Sequence, residues 1–127
     1  MRSVSHMSLT PADKALTITC DDRDSVVGGN MSHSYTISSR PKGGEPQEYF
    51  DQGLMFQKGP VAEVGINGIT NEALLAIVID RLEGAQEGPF KSRYNALAIT
   101  ALQEAENWLS RRTIDRMSRG VEGQSKA

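Results

Sequence analysis

The sequence predicts an α+β fold in which a small antiparallel β-region precedes a long antiparallel two-helix hairpin. Apolar and polar residues alternate in the first half of the 127-residue chain, which is typical of half-buried strands. In the second half, apolar residues recur every three or four positions, which is typical of helices. Aromatic residues make up only 6% of the chain, so we expect a mainly aliphatic core.

The β-region is predicted over residues 16–69, after a polar segment, residues 1–15, that we expect to be flexible. Leu16–Cys20 alternates strictly and predicts the first strand. Residues 33–38 and 49–57 predict two more strands, and residues 26–27 are a candidate extension of the pairing. Residues 21–24 predict a polar turn, and Asn67-Gly68 predicts a turn before the first helix.

The first helix of the hairpin is predicted from residue 71 to about residue 83. Thr70 is a candidate N-cap, and Glu72 lies in the first turn, where the helix dipole favours a negative charge. Gly84 is placed to end the helix. Residues 73–79 are apolar on every side, and such a helix must be covered all round. In so short a chain we expect a second copy to cover it, so the helices would mediate a homo-oligomer.

The second helix is predicted from about residue 93 to residue 117, with Ser92 as its cap. Because the link over residues 85–90 is short, the two helices should be antiparallel neighbours in a hairpin spanning residues 70–119. We expect Gly120 to stop the helix and residues 120–127 to form a disordered tail. The predicted apolar stripe, which includes a tryptophan expected in the core, consists of Leu97, Ala98, Ala101, Leu102, Ala105, Trp108 and Leu109.

Charge and composition exclude several classes of protein. A net charge of -2 argues against general DNA binding and against binding to anionic membranes. The longest apolar run is far shorter than the roughly 20 residues of a membrane span. A single cysteine fits a reducing compartment, and no signal-peptide pattern begins the chain, so we expect a cytoplasmic protein.

Motifs of common enzymes are missing, so the sequence predicts a non-enzymatic protein without cofactor or metal. The two histidines form no zinc motif with the one cysteine, and no nucleophile motif is present. Two weaker patterns stay open. The carboxylates of Asp21, Asp22 and Asp24 suit a metal ion or a polar turn. Residues 65–68 (GING) before a helix suit a phosphate cradle or a plain turn.

A basic C-terminal segment is the more informative feature. From residue 89 onward seven basic residues face four acidic ones, whereas the rest of the chain holds seven against twelve. Arg112 and Arg116 stand four apart, hence on one helix face, and guanidinium groups suit bidentate phosphate contacts. A solvated helix end with cations complementing the dipole is the alternative. Asn95 offers an amide for a base edge, and Phe90 is either a stacking platform or a plug at the hairpin bend.

Two stretches resemble a known family. Residues 71–84 (NEALLAIVIDRLEG) and residues 111–123 (RRT..R..RGVEG) are similar to the helical hairpin shared by phage sponges acting against the Thoeris and CBASS defence systems. The intervening GPF and R.NAL patterns fit the same hairpin. The upstream strands LTITCDD and HSYTIS fit the Thoeris group, which carries a small β-region. The resemblance covers residues 59–123 well and the remainder loosely.

This resemblance implies a homo-oligomer, a hexamer, that binds cyclic ADP-ribose isomers made by TIR-domain proteins and sequesters them undegraded. Some members also hold cyclic di- or trinucleotides. It implies ligand contacts from Asn95 to the base or ribose and from Arg112 and Arg116 to the diphosphate. Phe90 and Arg93 are further candidate ligand contacts that the resemblance does not itself supply. The family's Gly-Phe-Gln triplet is Gly84-Ala85-Gln86 here, so Ala85 stands where a stacking aromatic is expected.

Three functions compete on these observations. A nucleotide-signal sponge in the cytoplasm of an infected bacterium uses the arginine pair, Asn95 and the apolar helix together. A non-catalytic phage structural or interaction protein explains the apolar helix equally well, with the arginines as a dipole-complementing end. A nucleotide hydrolase lacks an evident base or metal site.

Overall fold

The computed structural model describes residues 1–22, 30–39 and 49–124. The chain divides into two compact units. The sheet unit comprises Met1–Gly59 and Ile66–Gly68, and the hairpin unit comprises Pro60–Gly65 and Ile69–Ala127. The predicted α+β class is confirmed, because an antiparallel sheet is followed by two long helices.

Within the described residues, the sheet has four strands in the order β1-β2-β3-β4. They are β1 (Arg2–Ser3), β2 (Leu16–Cys20), β3 (Ser34–Ser39) and β4 (Phe50–Met55), and all neighbours are antiparallel. The register of β2 on β3 runs from Leu16 opposite Ser39 to Cys20 opposite Tyr35. The three predicted strands are thus present, with ends displaced by one or two residues. The candidate extension at residues 26–27 lies outside the described residues.

Residues 1–15 have more regular structure than the sequence predicts. They form β1, which pairs with β2, and a short helix, α1 (Pro11–Ala15). Thr10 caps this helix by accepting a hydrogen bond from the Asp13 N–H at 3.1 Å, and Pro11 occupies the first helical position, where a missing N–H costs nothing. The polar composition that suggested flexibility is therefore the composition of a helix start.

The most buried part of the sheet unit is organised by Asp22. Its Oδ1 accepts hydrogen bonds from the N–H of His33 at 3.0 Å and of Ser34 at 2.6 Å, and these bonds lower the pKa of the Asp22 carboxyl below its ordinary value. The Cys20 thiol donates to the Asp22 carbonyl at 2.7 Å and is 1% exposed. Asp22 therefore serves the polar turn before β3.

Glycine is required at position 68 by a close approach of two main chains. A Cβ added there would lie 2.4 Å from the carbonyl carbon of Phe56, which is main chain and cannot turn aside. Asn67 holds this approach in place, because its side chain accepts from the Lys58 N–H and donates to the Lys58 carbonyl, both at 2.8 Å. The Asn67-Gly68 pair is thus held against Phe56 and Lys58 within the sheet unit and is not an isolated turn. This contact between the two main-chain segments is called the clasp below.

In the hairpin unit a short helix, α2 (Val61–Val64), precedes the two long ones, α3 (Asn71–Gln86) and α4 (Arg93–Ser118). Both predicted caps are confirmed. Thr70 accepts from the Ala73 N–H at 3.1 Å, and Ser92 accepts from the Asn95 N–H at 3.0 Å. The predicted stop at Gly84 is wrong. Gly84 does not adopt the left-handed conformation that ends a helix, and α3 continues through Ala85 to Gln86.

The helices α3 and α4 pack against each other, and much of their apolar surface stays exposed within the single chain. Ile79 is 8% exposed, but Ile77 is 59% exposed, as expected for a helix that is apolar all round. The prediction that Trp108 lies in the core is wrong for the isolated chain, because the residue is 67% exposed. The apolar stripe of α4 is wider than the face that one neighbouring helix covers. None of the described helices is long and apolar enough to cross a membrane.

Candidate functional site

The bend between α3 and α4 is braced by the side chain of Gln86. Its Oε1 accepts from the Ser92 N–H, and its Nε2 donates to the Ser92 carbonyl, each at 2.9 Å. A primary amide that pairs in both directions with one residue mimics a strand pairing and fixes the loop between them. Periodicity and capping signals do not single out Gln86, although it is the last residue of the Gly84-Ala85-Gln86 triplet noted in the sequence.

Asn95 ties the same bend from the other side. Its main-chain N–H is the one that Ser92 caps, and its Nδ2 donates to the Phe90 carbonyl at 3.0 Å. The other end of the same side-chain amide, Oδ1, has no hydrogen-bond partner among the described residues. Asn95 is therefore half-buried and anchored, with one acceptor available to a ligand.

Phe90 lies at the tip of the bend with 79% of its surface exposed. Phe90 therefore does not act as a plug within its own chain, and its role as a stacking platform stays a prediction. Arg93 is exposed at the first position of α4, two residues before Asn95, and Ala85 is half-buried near the end of α3. The structure thus brings together four of the predicted site residues, namely Ala85, Phe90, Arg93 and Asn95.

The two predicted phosphate-binding arginines lie at the other end of α4. Arg112 is seventeen residues beyond Asn95, which at 1.5 Å per residue is about 26 Å along the helix. A single nucleotide cannot bridge that distance. The predicted site residues of one chain therefore fall into two separate groups, here called the bend half-site (Ala85, Phe90, Arg93 and Asn95) and the arginine half-site (Arg112 and Arg116).

The arginines of this region differ in how they are engaged. Arg111 lies over the Trp108 ring, with its Cζ 5.5 Å from the ring centroid, and Arg119 pairs with Asp115 at 3.1 Å. Arg116 bonds to the segment that follows the helix. Arg112 is exposed and makes no hydrogen bond or ion pair with the described residues. Of the cluster, Arg112 is the guanidinium most readily available to an anion.

Two further patterns from the sequence receive a structural role. Asp22 serves the main chain of β3, as described above, and Asp24 lies outside the described residues. Among the residues that the structure describes, no three His, Cys, Asp or Glu side chains cluster in a way that would hold a metal ion. Asn67 and Gly68 serve the clasp with Lys58 and Phe56, so their polar groups bind protein main chain.

Comparison with known proteins places the hairpin in a recognised group. Residues 55–113 match the family model of the Acb2/Tad1 hairpin domain. Over 68 residues the chain is 56% identical to a protein of Bacillus phage SBSphiJ7 described as Thoeris anti-defense 1. That alignment covers 54% of this chain and 48% of the relative, so the chain spans about half the length of the curated relative it matches. The matched hairpin includes Arg112 and ends before Arg116.

Proposed function

We propose that this chain, whose residues 55–113 match the Acb2/Tad1 hairpin domain and which is similar to a phage anti-defence protein, is a sponge that sequesters a cyclic nucleotide immune signal of the infected cell without degrading it. The proposed ligands are cyclic ADP-ribose isomers made by TIR-domain proteins, with cyclic di- and trinucleotides as a second class. The proposed setting is the bacterial cytoplasm.

The observation that carries the proposal is the separation of the two half-sites on α4. The bend half-site offers a ring and an amide, which suit a base and a ribose, and the arginine half-site offers a fork that suits a diphosphate. Because about 26 Å separates Asn95 from Arg112 in one chain, one ligand can use both only if a second, antiparallel copy brings its own arginine half-site to the bend.

Exposed apolar side chains on both long helices support this arrangement. Ile77 of α3 and Leu97 and Trp108 of α4 are each more than half exposed, which is unfavourable for residues of this size in a monomer. Pairing of copies through these helices would cover them and would align the half-sites at the same time. The hexamer that the family resemblance implies would repeat this pairing.

Phe90 replaces the missing aromatic in this proposal. Ala85 has no ring to stack on a base, whereas Phe90 is exposed at the same bend and its carbonyl is held by Asn95. A nanomolar complex needs about 12 kcal/mol. Charge-assisted hydrogen bonds of about 1.5–3 kcal/mol each and stacking of about 1–3 kcal/mol would reach that value in a preorganised pocket.

Capture without chemistry is proposed because the half-sites hold no histidine, cysteine or serine nucleophile with a neighbouring base. The residues assigned to the bend half-site offer an amide, a ring and a guanidinium, and those assigned to the arginine half-site offer guanidinium groups. Such groups bind and orient a phosphate ester but neither deprotonate water nor attack phosphorus at neutral pH. No resident cofactor or metal ion is part of the proposal.

The second candidate function is a non-catalytic phage interaction protein that only assembles through its hairpin. The exposed Ile77, Leu97 and Trp108 favour it as strongly as they favour the sponge. In that case Phe90 and Arg112 would be ordinary surface residues, and nucleotides would bind no better than other anions.

Calorimetric titration with cyclic ADP-ribose isomers, cyclic dinucleotides and cyclic trinucleotides separates the two candidates, with ADP-ribose and NAD as controls. A sponge binds one cyclic species tightly and stoichiometrically, and mass spectrometry after heating recovers that species intact. Silence across the panel would favour assembly alone, and recovery of a hydrolysed product would favour an enzyme.

A further inference from the structure

The C-terminal segment folds back onto the guanidinium of Arg116. The Nε of Arg116 lies 2.9 Å from the Glu122 carboxylate, and its Nη2 donates to the main-chain carbonyls of Val121 at 2.9 Å and Gln124 at 3.1 Å. The chain reverses at Gly120, which has a φ of 71°, and the Val121 N–H returns to the Arg116 carbonyl at 3.0 Å. Residues 121–124, here called the tail turn, thus form an ordered turn around this side chain.

The tail turn places on Arg116 the same kinds of acceptor that a phosphate group would place there. A carboxylate and two carbonyl oxygens engage the Nε and Nη2 donors of the guanidinium, and the Arg116 side chain is only 11% exposed. Arg116 cannot offer this Nε–Nη2 edge to a diphosphate while those donors are engaged. Arg112, one helical turn earlier, has no such partner among the described residues.

The carboxylate side of this contact is held less firmly than the guanidinium side. The Glu122 side chain is 42% exposed, so it can return to water at little cost in solvation. A phosphate group accepts bidentate contacts from the same fork, and a diphosphate brings a second negative charge to the site. The free energy of replacing the Glu122 carboxylate by a ligand phosphate at Arg116 is therefore favourable. It is smaller than the free energy of binding to an unoccupied guanidinium, because the contact with Glu122 must break.

We propose that Glu122 is an affinity-setting residue, which occupies the Arg116 anion site in the free protein and is displaced by the ligand's phosphate. The inference rests on the proposed function, since it takes Arg116 as a ligand contact. The tail turn opens when the ligand binds. Glu122 thereby weakens the capture of small anions that engage Arg116 alone and favours ligands that also engage the bend half-site.

Glu122→Gln tests the proposal, because it keeps the shape of the side chain and removes the charge that competes with phosphate. We expect it to bind inorganic diphosphate about two- to five-fold more tightly than the wild type, the range that corresponds to an exposed ion pair. Glu104→Gln is the matched control. Glu104 is exposed on α4 and has no ion-pair partner among the described residues, so the same loss of charge there should leave affinity almost unchanged.

Amide hydrogen exchange gives a second readout that does not depend on affinity. The N–H groups of Val121 and Gln124 are bonded within the tail turn, to the carbonyls of Arg116 and Val121. Saturating diphosphate should speed their exchange in the wild type. Slower exchange in the bound state, equal affinities of Glu122→Gln and Glu104→Gln, or no binding of diphosphate would each overturn the proposal.

The result also separates this proposal from the sponge function. If diphosphate releases the tail turn while every cyclic nucleotide in the panel fails to bind, the sponge function falls and the role of Glu122 stands. If a cyclic nucleotide binds tightly while the tail turn stays protected, the sponge function stands and Arg116 belongs to the C-terminal turn alone.

Discussion

The side chain of Gln86 and the main chain of Ser92 are hydrogen-bonded in both directions, at 2.9 Å each. This pairing closes the loop that carries Phe90 and directly precedes the anchored part of α4. The geometry of the bend half-site therefore depends on Gln86, a residue that is not among those assigned to the half-site.

Gln86→Leu should destabilise the hairpin by about 1–2 kcal/mol, because it removes both hydrogen bonds and leaves the half-buried N–H of Ser92 without its partner, whereas the Ser92 carbonyl keeps the bond from the Ala96 N–H. Urea unfolding measures this loss, and exchange of the Ser92 amide should become faster. Gln103→Leu, an equivalent change at an exposed position of α4, is the control and should cost little. Equal stabilities of the two variants would contradict the bracing role.

Phe90→Ala should weaken binding of the cyclic nucleotide by about ten- to hundredfold, the range expected for the loss of one stacking ring. Since Phe90 is 79% exposed, the melting temperature should barely change. Tyr94, which is 80% exposed, provides the control Tyr94→Ala. A loss of affinity confined to Tyr94→Ala would move the stacking role to that ring, and a gain of affinity in Ala85→Phe would support the bend as the base site.

Arg112→Ala should reduce affinity by at least about tenfold, or about 1.5 kcal/mol, because a charge-assisted contact to the diphosphate is lost. The fold should be unaffected, since the side chain makes no hydrogen bond or ion pair with the described residues and is exposed. Arg81→Ala removes the same charge from an exposed position on α3 and is the control. If calorimetry shows the same affinity for both variants and the wild type, the arginine half-site is wrongly assigned.

Thr70→Ala should lower the stability of the hairpin unit by about 1 kcal/mol, because the Ala73 N–H loses the side chain that caps it. Thr70→Ser retains the hydroxyl and should restore most of the loss. Thermal unfolding followed by circular dichroism at helical wavelengths measures both. An unchanged melting temperature in Thr70→Ala would show that water replaces the cap without cost.

Asp22 should make the stability of the sheet unit depend on pH in the acid range. Its pKa is lowered in the folded state, chiefly by the His33 N–H and then by the Ser34 N–H, so the stabilisation is fully present above the ordinary value of 3.8. It is lost as the pH falls from there through the lower pKa of the folded protein. Asp22→Asn should flatten this part of the curve. Asp51→Asn, at an exposed position of β4, should leave it unchanged, and parallel curves for wild type and Asp22→Asn would refute the assignment.

Elements with a strong local signal were predictable from sequence. Leu16–Cys20 has strict alternation, and Thr70 and Ser92 are capping residues directly before helical periodicity, so these were found where they were expected. The prediction that α3 ends at Gly84 failed because a glycine ends a helix only where it adopts a left-handed conformation. The residues that follow the glycine determine whether it does so. Ala85 and Gln86 both have a high helix propensity, and the hydrogen bonds between Gln86 and Ser92 stabilise the additional residues at the end of α3.

The candidate site was predictable in composition but not in arrangement. Asn95, Arg112 and Arg116 follow from residue type and family resemblance, and helical rise alone separates the first from the other two. The partner of Arg116 was not predictable. Glu122 lies six positions away beyond a glycine reversal, and only the fold shows that the chain returns to the helix it has just left.

The burial of Cys20 has a practical consequence. Cys20 is 1% exposed and lies in β2, a strand that pairs on both sides, where Cys20 is opposite Arg2 of β1 and Tyr35 of β3. The chain has one cysteine and one tryptophan, and they fall in different units. The rate at which a reagent labels the Cys20 thiol therefore measures the opening of the sheet unit, while Trp108 fluorescence reports the unfolding of the hairpin unit. The protein carries its own pair of reporters, and a kinetic experiment without any added dye on the hairpin can tell which unit opens first.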